Sequence, residues 1–519
     1  MKPLINMTMG QFIKGQVEAH KDRPALWLGG VRWTYQELDL ISDEIAAGLL
    51  AAGVKKGSHV AIWSEASPNM IFFFYALQKI GAVAVMISNR IDGIEMKALL
   101  QLADVDFLAA DGSPGLAETN FHIGEQGISE LRLSGRETMS RFAICDECSY
   151  SDPALILFSS GTTGDCKAVM SSHFHLVNGG IQKADALRAD QNSVFCSALP
   201  LSHVFGIDVN LLCALACGGC LAMPDDTKTQ SILQTIQDAK CTHFSAVPTI
   251  FLSTIAHFDI SSYNLSSLQT GIVGGAFCTP EAFCAIEQAL NFTLLPGLGQ
   301  TEATAGITIS SIDETLAIRS TTVGKFVPHM EGKIFCLETG EEKKAGEFGE
   351  LGISGPLLMM GYYGAEGTSP IDENGWFHTG DIACLDSDAN VVLGGRIKEI
   401  INRGGEKIIP RELESILLSD KRVSECKVVA VPDSHFGEEI CACIVSDSKY
   451  GSIERQDVID ILNSKVAFFK IPKYVLFFES LPLTETGKIN VAETVKLATE
   501  KMEESDEYNS LRKASTGYN

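Results

Sequence analysis

The chain has 519 residues, of which 45% are hydrophobic and 20% charged, and a formal net charge of −24 at pH 7. This acidic balance argues against nucleic acid as a partner, because phosphate backbones require clustered lysine and arginine. The length exceeds that of a single hydrophobic core, so the sequence predicts about three to four structural units.

The chain shows no signal for export or membrane insertion. Residues 1–6 lack the apolar core of a secretory signal, and the best membrane candidate, Met70–Leu77, is far too short to cross a bilayer. Fifteen cysteines are scattered without regular spacing, which is typical of free thiols in a reducing compartment. The sequence therefore predicts a cytoplasmic protein with no membrane span.

The first half of the chain alternates between helical and strand patterns. Residues 34–54 carry apolar residues at helical spacing, with Thr34 as N-cap and Glu37 placed to complete a capping box. Further elements are a strand at His59–Trp63, a helix at Met70–Ile80 and strands at Ala82–Ile87, Thr242–Val247 and Gln269–Val273. This β-α-β rhythm predicts an α/β fold built on parallel sheet.

The second half has a different texture. From about residue 320 the chain is rich in glycine and charged turns, as in Gly346–Leu351, which predicts a small β-barrel-like unit of short strands. Pro410 then stands early in the first turn of a predicted helix. We place a domain boundary at Lys398, so that residues 1–397 form a large N-terminal domain and residues 398–519 a small α+β C-terminal domain.

A loop of glycines and hydroxyls follows the apolar run Ala154–Phe158. It consists of Ser159, Ser160, Gly161, Thr162, Thr163, Gly164, Asp165, Cys166 and Lys167. Glycines let the backbone approach an anion, hydroxyls donate hydrogen bonds, and Lys167 adds positive charge. The lysine does not follow the last glycine directly, so the loop is not the Walker A loop of kinases and GTPases. Its composition favours triphosphate binding over the alternative, a polar surface turn.

Five further blocks follow in a recognisable order. They are Leu199–His203, Gly297–Glu302, Gly375–Asp381, Gly395–Glu399 and Pro482–Lys488. Together with the glycine-rich loop they make the chain resemble the adenylate-forming superfamily of acyl-CoA synthetases, peptide-synthetase adenylation domains and firefly luciferases. The resemblance covers roughly residues 10–495, and it is strongest to an acid:CoA ligase.

The resemblance implies a two-step reaction on a small-molecule carboxylic acid. The acid attacks the α-phosphorus of ATP, in the presence of Mg²⁺, to give an acyl-adenylate and pyrophosphate. The thiol of coenzyme A then displaces AMP. The C-terminal domain is implied to be mobile and to rotate about Lys398 between the two steps.

The resemblance also assigns roles to individual residues. Lys488, Thr301, Glu302 and His203 are implied to be catalytic, with Glu302 also the Mg²⁺ ligand. The implied nucleotide- and coenzyme-binding set is Ser159, Ser160, Gly161, Thr162, Thr163, Gly164, Lys167, Gly275, Ala276, Gly297, Leu298, Gly299, Gln300, Asp381, Arg396, Lys398, Gly404 and Gly405. Within it, Asp381 meets the ribose hydroxyls, and Gly404 and Gly405 line a pantetheine tunnel.

Two positions depart from the family pattern. Cys166 stands where the family usually has proline, which removes a rigid turn residue from the loop. Leu298 stands where an aromatic residue commonly stacks on adenine, which leaves apolar contact without π stacking. The segments around His203, Gly274 and Gly297 are small or apolar, so we expect an acyl pocket for an uncharged aliphatic or aryl tail, of medium chain length or with a ring.

Other functions stay open at this point. A stand-alone adenylation enzyme would use the same first step and load an acyl carrier protein instead of coenzyme A. A luciferase-type oxygenase is a further alternative, although that activity is rare on this fold. A nucleotide-binding regulator without catalysis is another, and the catalytic residue types at Glu302, Asp381 and Lys488 argue against it. The sequence also leaves a homodimer open.

Overall fold

The computed structural model describes residues 2–91, 93–113, 115, 118–138, 145, 147–160, 166–257, 259–304, 306–365, 369–463, 465–484 and 488–504. Its strands in chain order are Pro24–Leu28 (β1), Val31–Thr34 (β2), His59–Trp63 (β3), Val83–Ile87 (β4), Phe107–Ala110 (β5), Phe121–His122 (β6), Pro153–Ser160 (β7), Cys166–Ser172 (β8), Val194–Cys196 (β9), Cys220–Met223 (β10), His243–Phe244 (β11), Thr270–Val273 (β12), Thr293–Leu298 (β13), Thr308–Ile309 (β14), Lys325–Phe326 (β15), Glu331–Phe335 (β16), Gly349–Ser354 (β17), Gly361–Tyr362 (β18), Phe377–Leu385 (β19), Val391–Arg396 (β20), Ile401–Arg403 (β21), Glu406–Ile408 (β22), Val423–Asp433 (β23), Gly437–Ser446 (β24) and Tyr474–Phe478 (β25).

The helices alternate with these strands along most of the chain. In chain order they are Met9–His20 (α1), Tyr35–Ala51 (α2), Pro68–Ile80 (α3), Gly93–Leu102 (α4), Glu125–Thr138 (α5), His173–Ala186 (α6), Val204–Gly206 (α7), Cys213–Cys217 (α8), Thr229–Ala239 (α9), Pro248–His257 (α10), Pro280–Leu290 (α11), Leu316–Thr321 (α12), Pro410–Leu418 (α13), Arg455–Asn463 (α14) and Val491–Glu504 (α15). A π-helical turn, Ile207–Leu212, joins α7 to α8. None of the described helices is long and apolar enough to span a membrane.

Local signals explain where the early helices begin and end. The predicted capping box at Thr34 and Glu37 is present, and it starts α2. Helix α3 begins behind Ser67 with Pro68 in its first turn, and it ends at Gly81, whose φ of 71° places it in the left-handed region. Helix α3 is buried on every side, which is expected for a helix packed between other layers.

Two large sheets make up most of the fold. The first has the order β15-β14-β13-β12-β11-β9-β10-β1-β2 and the second β18-β8-β7-β4-β3-β5-β6. Their central pairs are parallel, including β12 with β13 and β3 with β4, whereas the edge strands β2 and β18 pair antiparallel with their neighbours. The prediction of an α/β fold with parallel sheet is confirmed.

Two smaller sheets follow along the chain. Where the sequence predicts a small β-barrel-like unit, strands β16, β17, β19 and β20 form an antiparallel sheet in that order, and among the described residues β16 and β20 at its ends do not pair. Strands β21 to β25 form a five-stranded mixed sheet, which together with α13, α14 and α15 gives the predicted α+β arrangement. The proposed boundary residue Lys398 is exposed in a short 3-10 turn, Ile397–Glu399, between β20 and β21. We keep the division at residue 398 as a proposal.

Buried histidines give the fold a predictable response to acid. Burial lowers the pKa of His173, His175 and His243 to about 4, because the charged imidazolium loses its hydration. The ordinary pKa of about 6.5 applies in the unfolded chain, so between pH 7 and pH 5 the unfolded state binds more protons. The free energy of unfolding should therefore fall as pH falls through this window, by on the order of 1–2 kcal/mol for each such histidine at pH 5.

Urea titrations at pH 7 and pH 5 would measure this loss. His243→Gln serves as the matched variant, because His243 is buried and stacks on Phe195 at 4.7 Å between ring centroids. The variant should be less stable at pH 7 and should lose less stability on going to pH 5. An identical pH dependence in the two proteins would contradict the assignment.

Candidate active site

Lys488 is half-buried, and its side chain lies beside Gly275 of the predicted nucleotide site. A Cβ placed on Gly275 would lie 3.3 Å from Lys488 Cε and 3.8 Å from its Nζ. The backbone around the lysine is fixed, because Lys488 N donates to Thr484 Oγ1 at 3.2 Å and Lys488 O accepts from Thr484 N at 2.7 Å. Burial, and then the charge of Arg396, lower the pKa of Lys488. The structure therefore brings the predicted catalytic lysine against the predicted nucleotide segment.

Asp381 is the buried acid of the same region. Its side chain is 6% exposed and pairs with Arg396 Nε at 2.8 Å, and its other oxygen accepts from Gln300 Nε2 at 2.6 Å. Arg396 lies directly opposite Asp381 in the pairing of β19 with β20. Burial raises the pKa of Asp381, while Arg396 and Gln300 act in the opposite direction. Three predicted site residues thus form one connected group.

His203 is the N-cap of α7, and its pKa is affected by the charge of Lys488. Its Nδ1 accepts from Phe205 N at 3.2 Å, so the ring caps the short helix. Burial first, and then the positive charge of Lys488, lower the pKa of His203 to about 4. The ring is therefore neutral near pH 7 and can accept or donate a hydrogen bond without adding charge.

A second group surrounds Glu302, two residues after Gln300. Glu302 Oε1 accepts hydrogen bonds from Ser159 Oγ and from Tyr362 OH, both at 3.1 Å. Lys167 Nζ lies 4.6 Å from the centroid of the Tyr362 ring, within cation–π range. Strand pairing explains the meeting, because Lys167 is on β8 and β18 brings Tyr362 opposite Val169 of that strand.

The glycine-rich loop is only partly described. Ser159 and the backbone of Ser160 end β7, and Lys167 lies on β8, antiparallel to it. The predicted phosphate-binding residues Gly161, Thr162, Thr163 and Gly164 lie outside the described residues. The two strands nevertheless hold both ends of the loop beside Glu302.

The small residues of the site allow close approach of chain segments. A Cβ on Gly274 would lie 3.0 Å from Gly297 O and 3.7 Å from Phe205 Cζ. Gly275 has a φ of 79°, in the region that favours glycine. The exposed Ala276 follows it. Three further residues of the predicted site lie at or just after the end of β13: Leu298, Gly299 and Thr301.

The predicted pantetheine segment forms a hairpin of its own. Gly404 and Gly405, with φ of 58° and 99°, turn the chain between β21 and β22. A Cβ on Gly404 would come within 2.7 Å of Phe436, so glycine is needed there. Lys407 of this hairpin pairs with Glu338 at 3.3 Å. In the part of the chain that the structure describes, no hydrogen bond joins the hairpin to the Lys488 group.

Sequence reasoning missed two contributors. No sequence pattern marked Tyr362 as a site residue, because it follows Gly361 in a turn-rich segment. It meets Glu302 only because β18 pairs with β8. Arg411 sits in the first turn of α13, where a positive charge opposes the helix dipole, and this could have drawn attention. The structure gives the reason: the Arg411 guanidinium lies 3.8 Å from the centroid of the Phe277 ring.

The Arg411–Phe277 contact joins the C-terminal segment to the segment that follows Gly275 and Ala276. Burial lowers the pKa of Arg411 to about 10, against the attraction of Glu414, Asp381 and Glu399. This contact helps to hold the C-terminal segment where Lys488 reaches Gly275.

The arrangement is suited to an anionic ligand. Lys488, Arg396 and Lys167 supply positive charge, Asp381 supplies a buried acceptor, and Glu302 supplies a hard carboxylate. Within the described ranges there is no cluster of three or more histidine, cysteine, aspartate or glutamate side chains that could hold a metal ion. A cation here would therefore need ligands from a bound molecule or water besides Glu302.

Comparison with known proteins gives consistent matches. A family model described as AMP-binding enzyme matches residues 13–363, and one described as AMP-binding enzyme C-terminal domain matches residues 412–488. A putative acyl-CoA synthetase, YngI, of Bacillus subtilis is 30% identical over 94% of this chain and 96% of its own. The zebrafish (Danio rerio) medium-chain acyl-CoA ligase ACSF2, a mitochondrial protein, is 29% identical over 94% of this chain and 88% of its own.

A solved structure extends the likeness to the fold. The anthranilate CoA ligase AuaEII, in complex with anthranoyl-AMP, superposes with a TM-score of 0.86 at 22% identity, over 96% of this chain and 98% of its own. At this identity the likeness concerns the fold, and it agrees with the α/β architecture predicted from the sequence.

Proposed function

Because the chain belongs to the AMP-binding enzyme family, we propose that it is an ATP-dependent acid:CoA ligase for a medium-chain or aryl carboxylic acid. The acid oxygen attacks the α-phosphorus of ATP, the bond to the β-phosphate oxygen breaks, and pyrophosphate leaves. The thiol sulfur of coenzyme A then attacks the acyl carbon of the adenylate, AMP leaves, and the thiol proton passes to solvent.

The matches to known proteins show the family and the enzyme class. The resemblance seen in the motifs is confirmed by the family models, and the curated relatives are named acyl-CoA synthetases and ligases. The chain is thus an AMP-forming acid–thiol ligase in class. The acid and the order of the chemical steps are part of the proposal.

The position of Lys488 carries the proposal. Its side chain comes from the C-terminal segment and ends beside Gly275. The charge of Arg396 lowers the pKa of Lys488, and the charge of Lys488 lowers the pKa of His203. A lysine in this position would contact the acid carboxylate and the α-phosphate at once. Because charge builds up there in the transition state, the ammonium would stabilise that state more than bound ATP.

The neighbouring polar groups fit the rest of the nucleotide. Asp381 offers a buried carboxylate to the two ribose hydroxyls, held in place by Arg396 and Gln300. Thr301 would meet the α-phosphate, and Lys167 together with the glycine-rich loop would hold the β- and γ-phosphates. Leu298, at the end of β13, gives adenine an apolar contact.

Glu302 fits a magnesium ion by the chemistry of its donor. A single hard carboxylate, half-buried and accepting from Ser159 and Tyr362, matches the way Mg²⁺ binds through one or two carboxylates, water and substrate phosphates. When bound there, the ion would neutralise charge on the phosphate oxygens. Ser159 and Tyr362 orient the carboxylate.

The second step requires a change at the C-terminal segment. Lys488 and the Gly404–Gly405 hairpin belong to the same segment, and among the described residues no hydrogen bond joins the two. Rotation at Lys398 would withdraw the lysine and bring the hairpin to the acyl site. Gly404 and Gly405 would then line the path of the pantetheine arm.

Pyrophosphate release would test the proposal directly. The protein would be incubated with ATP, Mg²⁺ and a panel of carboxylic acids, with and without coenzyme A, and acyl-CoA would be measured by mass. We expect release that depends on the acid, with formation of acyl-CoA. Release without acyl-CoA would favour a carrier-protein acceptor, and no release with any acid would overturn the proposed function.

Gly275→Ala gives a second test of the site. The new methyl group would lie 3.3 Å from Lys488 Cε and from Val247 Cγ1, at a φ of 79°. We expect Lys488 to be displaced and the rate of pyrophosphate release to fall about tenfold or more, since small misplacements of catalytic groups are costly. Gly340→Ala is the matched control, because Gly340 has a φ of 71° and open space around it. Equal rates in both variants would contradict the role of the Gly275 contact.

A further inference from the structure

A buried ion pair lies outside the group around Lys488. Lys183 Nζ of α6 is 3.4 Å from Asp208 Oδ2 of the π-helical turn, and the two side chains are 8% and 3% exposed. Among the described residues, neither Lys183 Nζ nor Asp208 Oδ1 has a hydrogen-bond partner. An ammonium has three donors and a carboxylate about four acceptor sites, so Lys183 Nζ and Asp208 Oδ1 can each take a further hydrogen-bond partner.

Unused capacity of this kind needs an explanation. Most buried polar groups are hydrogen-bonded, and leaving a buried charge partly unsatisfied is costly. A pair whose only task was to hold α6 against the π-helical turn could be replaced by apolar residues with little loss. The pair is better explained if a ligand completes its hydrogen bonds.

The surroundings of the pair lead back to the proposed acyl site. Lys183 Nζ fills the space beside Gly306, where a Cβ would lie only 2.9 Å from it. The chain at Gly306 is bound to the end of β13, because Ile307 N donates to Leu298 O at 2.8 Å. A Cβ on Gly299 would lie 3.5 Å from Gly306 Cα. Lys183 therefore lies behind the segment that also carries Gly297.

Asp208 is linked to the same region through Phe205. It follows Phe205 by three residues, and a Cβ on Gly274 would lie 3.7 Å from Phe205 Cζ and 3.0 Å from Gly297 O. Gly274 adjoins Gly275, the neighbour of Lys488. Gly297 and Gly299 are two residues apart, roughly 7 Å along an extended chain. Contacts through Gly274, Gly297 and Gly299 thus connect the pair with the surroundings of Lys488.

We propose that Lys183 and Asp208 form the far end of the acyl site and bind a hydroxyl group carried at the distal end of the carboxylic acid. The inference rests on the proposed function and names the substrate class, a hydroxylated medium-chain or aryl acid. The hydroxyl oxygen accepts from Lys183 Nζ, and its proton is donated to Asp208 Oδ1.

The charge balance selects a hydroxyl over other polar groups. The pair is neutral as a whole, so the attraction of Lys183 for a second carboxylate is offset by repulsion from Asp208, and the attraction of Asp208 for a distal ammonium is offset by repulsion from Lys183. A carbonyl could accept from Lys183 but would leave Asp208 Oδ1 without a donor. A hydroxyl satisfies both atoms, since it donates and accepts. Burial raises the pKa of Asp208 to about 6, against the attraction of Lys183, so Asp208 is an acceptor at pH 7.5.

Two pairs of non-hydrolysable acyl-sulfamoyl adenosines would test the inference by calorimetry. One pair carries octanoyl and ω-hydroxyoctanoyl groups, and the other carries phenylpropanoyl and para-hydroxyphenylpropanoyl groups. In at least one pair the wild-type protein should bind the hydroxylated compound about 10- to 100-fold more tightly, as for a hydroxyl bonded to charged groups. A ratio at or below one in both pairs would overturn the inference.

The double variant K183M/D208L removes both polar groups while keeping similar volume. Its ratio of affinities should fall to about one. Lys14→Met, which breaks the ion pair of Lys14 on α1 with Asp39 on α2, should keep the wild-type ratio. A double variant that keeps the preference would place the hydroxyl elsewhere and overturn the inference. Formation of acyl-CoA is measured in a separate assay. Unsubstituted acids that yield acyl-CoA support the proposed function, whether or not the protein prefers the hydroxylated compounds.

Discussion

Replacing Lys488 with alanine should lower the rate of adenylate formation by about 10³-fold and leave ATP affinity nearly unchanged. The side chain is close to Gly275 and feels the charges of Arg396 and Asp381. Its proposed contact forms fully only when charge develops between the acid and the α-phosphate, and loss of such a contact costs roughly 10²–10³ in rate. Acid-dependent pyrophosphate release would measure the rate, and calorimetry with ATP would measure affinity.

A second readout separates the two half-reactions. Acyl-adenylate supplied from outside should be converted to acyl-CoA at nearly the wild-type rate by Lys488→Ala, because the lysine is proposed to act in the first step only. Lys496→Ala is the matched control, since Lys496 is 61% exposed on α15 of the same segment. If Lys488→Ala released pyrophosphate as fast as that control, Lys488 would have no part in the chemistry.

The elements with strong local signals were predictable from the sequence. Thr34 and Glu37 determine the start of α2 by a capping box that needs no tertiary partner. The alternation of apolar runs and helical patterns predicted the parallel strands β3 and β4, whose side chains are buried on both faces. Where local propensity and burial agree in this way, the sequence alone is enough.

Contacts between distant segments were not predictable in the same way. Tyr362 reaches Glu302 because β18 is added to the edge of a sheet near residue 169, which no local pattern encodes. Lys183 looks like an ordinary surface lysine of a helix, yet it is buried against Gly306. Long polar side chains of this kind are normally exposed, so only the packing of α6 against the π-helical turn reveals the pair with Asp208.

The positions of the site residues were predictable from the family motifs. These motifs predicted that Asp381, Arg396, Gln300 and Lys488 belong to one site, and the structure places the four residues in one connected region. Their contacts explain why motif spacing succeeds here: Asp381 and Arg396 face each other across β19 and β20. Which ligand atoms they bind stays a prediction.

Asp381→Asn should raise the KM for ATP by about 10²-fold with a smaller effect on kcat. The buried carboxylate is proposed to accept from both ribose hydroxyls, and hydrogen bonds to a charged group contribute about 1.5–3 kcal/mol each. The variant also leaves Arg396 without its partner at 2.8 Å. Steady-state pyrophosphate release at varied ATP would show the change. Asp313→Asn, an exposed surface position, should leave the KM as it is.

The pH dependence distinguishes a ligand-binding carboxylate from a purely structural one. Burial raises the pKa of Asp381 above its ordinary value of 3.8, so the carboxylate is protonated at a higher pH than an exposed aspartate. Protonation removes the acceptor, and the wild-type KM for ATP should therefore rise as pH falls toward that pKa. The uncharged side chain of Asp381→Asn has no such proton to gain, so its KM should change less over the same acid range. If the two proteins showed the same acid-side rise in KM, Asp381 would not be the group that binds the ribose.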